Sequence, residues 1–130
     1  MDPLIIYSVE GKDFAALEAD LEAAVQRHRL GMFRSLDLRQ ALQQFGLAFG
    51  WDCRVYDLCP PGALAEALAR HSAAASVLPC RVCLYYRDGV LQMAMARTTA
   101  LLGLLAGGEL QTLAEAMDRE LTAVLDEAAA

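Results

Sequence analysis

The sequence predicts an α+β fold, a two-layer sandwich in which an antiparallel sheet of about five strands carries long helices on one face. An Asp88-Gly89 pair separates strand-like runs over 81–87 and 90–96, which is typical of a two-residue hairpin turn. Apolar residues recur at helical spacing near each end of the chain, over 14–29 and 109–127. The chain has 130 residues, 56% of them apolar and 22% charged, so we expect one domain over 1–130 and exclude disorder.

The remaining elements follow in order along the chain. Leu4 to Val9 is rich in branched and aromatic residues and predicts the first strand, and Asp13 is placed to cap the helix that follows it. A second strand is predicted over 32–38, and Asp37 can begin a short helix there. The third strand is predicted over 52–58. Two prolines end this strand, and a short helix follows over 63–71 before the hairpin.

Charge and composition exclude several classes of function. The net charge of −6 argues against nucleic acid as the main partner, because phosphate binding needs a basic surface. The longest apolar stretch, Ala100 to Gly108, is about half of a membrane span, so we expect no membrane helix. The chain starts Met1-Asp2-Pro3, without the basic residues of a secretory signal, so we expect a cytoplasmic protein. No phosphate loop, HExxH or GxSxG motif is present, and carboxylates such as Asp118 are expected on solvated helix faces.

Four cysteines carry the most specific information. Cys80 and Cys83 have CxxC spacing, but they fall in a predicted strand, where residues three apart point to opposite faces. If strand 53–58 pairs antiparallel with strand 80–87, Cys59 lies near Cys80, and Cys83 lies beside Tyr56. We therefore take Cys59 and Cys80 as the candidate thiol site. Such a pair can form a disulfide, bind a soft metal or carry sulfur, and two buried reduced thiols are the alternative.

The order of these cysteine steps is similar to that of a known family. Leu58-Cys59-Pro60 ends a strand, Leu78-Pro79-Cys80 enters a later one, and Asp37 to Leu42 and the Asp-Gly turn lie in the same order. From about Leu4 to Leu125 the chain resembles the family catalogued as domain of unknown function 302. The resemblance implies a fold like that of the TATA-binding protein and assembly as a homodimer. It does not imply DNA binding. Pro61 departs from the family pattern, and Cys53 and Cys83 have no counterpart in it.

The apolar run over 100–108 is poorly suited to an exposed loop. Such a run is expected to cover the core, line a cavity or meet a partner subunit. We therefore take four leucines as the candidate ligand or dimer surface: Leu101, Leu102, Leu104 and Leu105.

The sequence favours a non-catalytic binding module for a small apolar ligand or a protein partner. A thiol-dependent redox, sulfur-carrier or soft-metal role at Cys59 and Cys80 is the alternative. We expect no bound cofactor and no dedicated metal site, because four cysteines spread over strands lack the paired knuckles of zinc centres. Composition does not decide whether the protein catalyses a reaction.

Overall fold

In the computed structural model, which describes residues 2–130, strands and helices alternate before a β-hairpin leads into two final helices. The strands are β1 (Leu4–Ser8), β2 (Gly31–Asp37), β3 (Cys53–Cys59), β4 (Cys80–Arg87) and β5 (Val90–Ala96). The helices are α1 (Phe14–Arg27), α2 (Leu38–Gln43), α3 (Pro61–Arg70), α4 (Thr98–Ala106) and α5 (Gln111–Ala129), and a short 3-10 helix covers Ser72–Ser76.

The five strands form one antiparallel sheet in the order β1-β5-β4-β3-β2. The predicted α+β architecture is thereby confirmed. The hairpin turn between β4 and β5 has positive φ at Asp88 (50°) and Gly89 (80°), as a tight turn of this kind requires. Asp13 caps α1 by accepting a hydrogen bond from the Ala16 amide at 2.8 Å, as predicted.

The core lies between the sheet and the helices α1 and α5. Strand side chains such as Tyr56, Val82, Leu84 and Met93 are buried on this face of the sheet. The other face is more open, and Leu4 and Ile6 on β1 are each 46% exposed there. The sheet thus shows the alternation of buried and exposed positions that one covered face produces.

The predicted pairing of β3 with β4 is confirmed, but the predicted register is wrong by one residue. Cys80 lies opposite Leu58 rather than Cys59, and Cys83 lies opposite Val55 rather than Tyr56. The connection through α3 and the 3-10 helix is too long to set the register in the way that a two-residue turn does. Burial sets it instead, because the observed register places Leu58 and Cys80 together on the covered face.

The apolar run at 100–108 belongs to a helix, which the sequence analysis did not predict. Helix α4 spans Thr98–Ala106 and packs against α5. The last amphipathic helix covers Gln111–Ala129, shifted by two residues from the prediction of 109–127. Within residues 2–130, no helix is both long and apolar enough to span a bilayer.

Candidate functional site: a buried thiol pair

Cys59 and Cys80 meet at one end of the sheet. Cys59 is the last residue of β3 and Cys80 is the first residue of β4, so the antiparallel pairing brings them together. Their Sγ atoms are 3.8 Å apart. Cys59 is 0% exposed and Cys80 is 3% exposed. The structure therefore places the two predicted thiols in direct contact, inside the core and away from solvent.

The Cys80 thiol has a second polar neighbour, Thr98. The Cys80 Sγ and the Thr98 Oγ1 are 3.2 Å apart, and Thr98 is the first residue of α4 and is buried. A hydroxyl can donate a hydrogen bond to a thiolate, and it can rotate to accept one from a thiol. Cys80 thus has two hydrogen-bonding partners, Cys59 and Thr98, in a site that excludes water.

Asp118 of α5 holds the beginning of α4 in place. Its carboxylate accepts hydrogen bonds from the backbone amides of Thr98 (2.7 Å) and Thr99 (3.1 Å) and from the Thr99 hydroxyl (2.9 Å). These amides have no partner inside their own helix, so Asp118 serves as a cap that comes from a distant part of the chain. The expectation that Asp118 is a solvated surface carboxylate is wrong, because α4 packs against this part of α5.

The two thiols of the pair have pKa values that move in opposite directions. The hydrogen bond from Cys59 lowers the pKa of Cys80, with a further contribution from Thr98, while burial and the Asp118 carboxylate oppose this. The hydrogen bond to Cys80 and burial raise the pKa of Cys59. The Thr98 hydroxyl contacts the Cys80 sulfur, so it favours negative charge on Cys80 when the pair loses one proton.

The other two cysteines have a different environment. Cys83 lies three residues after Cys80 on β4, on the opposite face of the sheet, and is half-buried. Its Sγ is 3.6 Å from the carbonyl oxygen of Ala94. Burial raises the pKa of both Cys83 and the half-buried Cys53. Cys80 is therefore the only one of the four cysteines with a lowered pKa, and the CxxC spacing does not bring its two thiols together.

A cleft of about 400 Å³ lies at the same end of β4 as Cys80, although neither thiol of the pair lines it. The residues on either side of Cys80 contribute to its lining, as does Leu101 of α4. Its full lining is Asp57, Ala75, Ser76, Val77, Leu78, Pro79, Arg81, Ala96 and Leu101. The cleft is mainly apolar, with one charged pair at Asp57 and Arg81, whose Oδ1 and Nε atoms are 3.4 Å apart.

The structure separates the four leucines that the sequence analysis grouped as one surface. Leu101 lines the cleft. Leu102 is 1% exposed in the core, and Leu105 is partly buried against it. Leu104 is 89% exposed. A helix turns successive side chains to different sides, so the four do not form one continuous surface.

The site can support thiol chemistry with two sulfur atoms. Within residues 2–130, no group of three or more His, Cys, Asp or Glu side chains is placed to hold a metal ion. A metal ion bound at this site would therefore have two protein ligands among those side-chain types, the Cys59 and Cys80 sulfurs. Two adjacent thiols that differ in pKa are instead well suited to exchange between a dithiol and a disulfide.

Both cysteines of the site are predicted from the sequence, whereas Thr98 and Asp118 are not. Thr98 and Thr99 stand immediately before the apolar run, and hydroxyl residues in that place are a helix-start signal that would have located α4. No local sequence pattern indicates the capping role of Asp118, because the Thr98 amide to which it bonds lies 20 residues earlier, in another helix.

Comparison with known proteins supports the fold. The model of the family described as domain of unknown function DUF302 matches residues 5–128. A solved structure described as an uncharacterized conserved protein DUF302 from Bacillus stearothermophilus is similar, with a TM-score of 0.89 and 22% sequence identity. The match covers 98% of this chain and 99% of the other. A comparison with proteins of curated function finds no match.

Proposed function

The chain belongs to the family of the domain of unknown function DUF302, and we propose that this member is a redox protein whose active group is the Cys59–Cys80 thiol pair. The observation that carries the proposal is the 3.8 Å contact between two sulfur atoms that lie at the ends of neighbouring strands. This contact leaves only a short movement between the dithiol and a disulfide, whose sulfur atoms are about 2.05 Å apart.

The surroundings of the pair favour chemistry over simple packing. A cysteine that serves only as a small apolar residue needs no polar neighbour, and burial raises its pKa, as it does for Cys83. Cys80 instead has a sulfur and a hydroxyl in hydrogen-bonding contact, and these lower its pKa. The thiolate is the nucleophile in disulfide chemistry, so Cys80 is the reacting sulfur and Cys59 is its partner.

The reaction is a two-electron oxidation. The Sγ atoms of Cys59 and Cys80 form one S–S bond, and the two thiols release two protons and two electrons. The electrons pass to a small two-electron oxidant, which is a hydroperoxide or a low-molecular-weight disulfide. A low-molecular-weight thiol returns the pair to the dithiol.

The proposal predicts one specific disulfide at equilibrium. The protein is incubated in mixtures of oxidised and reduced dithiothreitol until samples that start oxidised and samples that start reduced agree. Thiols are then counted after acid quenching, and the linked peptides are identified by mass spectrometry. We expect wild-type protein to lose one pair of thiols, with Cys59 linked to Cys80.

Three variants serve as controls for this measurement. A protein with both Cys53→Ser and Cys83→Ser is expected to show the same midpoint as the wild type, because these residues lie outside the pair. Cys59→Ser and Cys80→Ser are each expected to form no intramolecular disulfide. A wild-type protein that keeps four free thiols in every mixture, or that links Cys53 to Cys83 first, would refute the proposal.

The cleft at this end of β4 favours a second function, the binding of a small apolar ligand. Its volume of about 400 Å³ falls in the range that small-molecule sites occupy, roughly 300–1,000 Å³. Its walls include the apolar side chains of Val77, Leu78 and Leu101. A ligand at one hundred times its dissociation constant stabilises a protein by about 2.7 kcal/mol, so an apolar fluorescent dye that binds here raises the melting temperature.

A pair of variants tests whether the cleft is the binding site. Ala75 is exposed at the cleft, so Ala75→Phe narrows it without changing the core. We expect Ala75→Phe to abolish the dye-induced shift and Leu104→Ser, on the exposed side of α4, to retain it. Equal shifts in both variants would place the dye elsewhere and rule out the cleft as its site.

A further inference from the structure

Burial of the thiol pair restricts the kind of oxidant that can reach it. A disulfide oxidant reacts through a mixed disulfide, so its organic group must stay attached to the attacking sulfur. Cys80 is 3% exposed and Cys59 is 0% exposed, which leaves little room for such a group. A hydroperoxide transfers one oxygen atom only, and its remainder leaves as water or an alcohol.

We propose that the oxidant of the Cys59–Cys80 pair is a hydroperoxide, which reacts at Cys80 and is followed by disulfide formation with Cys59. This inference rests on the redox function proposed above and adds the substrate class. Pro79 and Arg81, which precede and follow Cys80, line the cleft at this end of β4, whereas neither thiol lines it. An oxidant from solvent therefore has to pass the chain at this strand end, and it must be small to do so. Within residues 2–130, the more exposed Cys53 and Cys83 have no hydrogen bond to another sulfur or to a hydroxyl, unlike Cys80.

The atoms and electrons balance in two steps. The Cys80 thiolate attacks one peroxide oxygen, the O–O bond breaks, and the leaving oxygen takes a proton to become water or an alcohol. Cys80 then carries a sulfenic acid. The Cys59 sulfur, 3.8 Å away before reaction, attacks this sulfur, and the S–O bond breaks. The hydroxyl leaves with the Cys59 proton as water, so two thiols and one hydroperoxide give a disulfide, one water or alcohol, and one further water.

Thr98 is a positioning residue in this scheme. Its hydroxyl is 3.2 Å from the Cys80 Sγ and can donate to the thiolate that attacks the peroxide. Asp118 fixes the backbone of Thr98 through the amide at 2.7 Å, so the hydroxyl is held beside the sulfur. Removing the hydroxyl is expected to move the pH profile of the peroxide reaction to higher pH, because the thiolate loses a donor.

The first experiment compares which of the four cysteines react first with hydrogen peroxide and which react first with iodoacetamide. Reduced wild-type protein is treated with a limiting amount of hydrogen peroxide, and in parallel with iodoacetamide, and each cysteine is then quantified by peptide mapping. We expect peroxide to oxidise Cys80 and Cys59 first, and iodoacetamide to modify the half-exposed Cys53 and Cys83 first. A peroxide reaction that begins at Cys53 or Cys83 would overturn the proposal.

The second experiment separates the oxidants and the roles of the residues. At equal concentration, hydrogen peroxide is expected to form the disulfide at least an order of magnitude faster than oxidised glutathione. Cumene hydroperoxide shows whether an organic hydroperoxide also enters. Cys59→Ser is expected to gain the mass of one oxygen at Cys80, whereas Cys80→Ser gains none at Cys59. Thr98→Val is expected to shift the pH profile upward, and Thr98→Ser to restore it.

The outcomes distinguish this inference from the redox function on which it rests. If dithiothreitol mixtures give the Cys59–Cys80 disulfide but oxidised glutathione reacts as fast as both hydroperoxides, the thiol pair is redox-active and the substrate class is wrong. If no disulfide forms in any mixture, both proposals fail.

Discussion

Replacing Leu102 with alanine is expected to destabilise the protein by about 2–5 kcal/mol, the range for removing a leucine side chain from a packed core. Leu102 is 1% exposed and points from α4 into the core. Alanine leaves a cavity there, and α4 also carries Thr98, which contacts the thiol pair. The free energy of unfolding is measured by urea denaturation of the wild type and the variant under reducing conditions.

The matched control lies two residues further along the same helix. Leu104 is 89% exposed, so Leu104→Ala is expected to change the free energy of unfolding by no more than about 0.5 kcal/mol. Both substitutions have the same helix propensity effect and differ only in burial. Equal losses of stability for the two variants would contradict the helical structure of this apolar run, which the sequence analysis did not predict.

Alkaline pH is expected to destabilise the protein through Tyr56. This side chain is 0% exposed, and its pKa is raised, first by burial and then by the nearby Glu22 and Glu18 carboxylates. Because the folded protein disfavours the phenolate, the stabilising contribution is fully present below the unfolded pKa of about 10. Above that pH the contribution of Tyr56 to the free energy of unfolding falls by about 1.4 kcal/mol per pH unit, until the pH reaches the pKa of Tyr56 in the folded state.

Comparison with Tyr56→Phe isolates this contribution from other titrating groups. The variant removes the hydroxyl, which donates a hydrogen bond to Glu22 at 3.3 Å, and keeps the buried ring. Urea denaturation between pH 8 and about pH 11.5 is expected to show a steeper loss of stability in the wild type than in the variant above about pH 10. Parallel curves across the whole range would show that Tyr56 ionises as easily in the folded protein as in the unfolded one.

Local sequence patterns predicted much of the fold. The Asp88-Gly89 turn set the hairpin, because positive φ at both positions leaves few other conformations. Asp13 marked the start of α1, since its side chain caps the helix through a bond only three residues away. The alternation of side chains along β4 also placed Cys80 and Cys83 on opposite faces, as the structure shows.

The candidate thiol pair was predicted from the strand ends, although the detailed register was not. Cys59 and Cys80 meet because an antiparallel pairing joins the end of β3 to the start of β4, and this holds for either register. A one-residue slip changes which side chains face each other without separating the strand ends. The contact of 3.8 Å therefore agrees with a prediction that used an incorrect register.

By itself, the sequence determined the type of the strands and their order along the chain, the hairpin and the two longest helices. These features depend on local conformational preference and on side-chain periodicity, both of which can be read within a few residues. The approach of Cys59 to Cys80 followed from the sequence only on the condition that β3 pairs with β4, which the tertiary structure decided. The tertiary structure alone decided the β3–β4 register, the cap that Asp118 provides to α4, and the contact of Thr98 with Cys80. Each of these joins distant segments, and the burial of apolar side chains in a shared core selects one arrangement among several that local patterns allow equally.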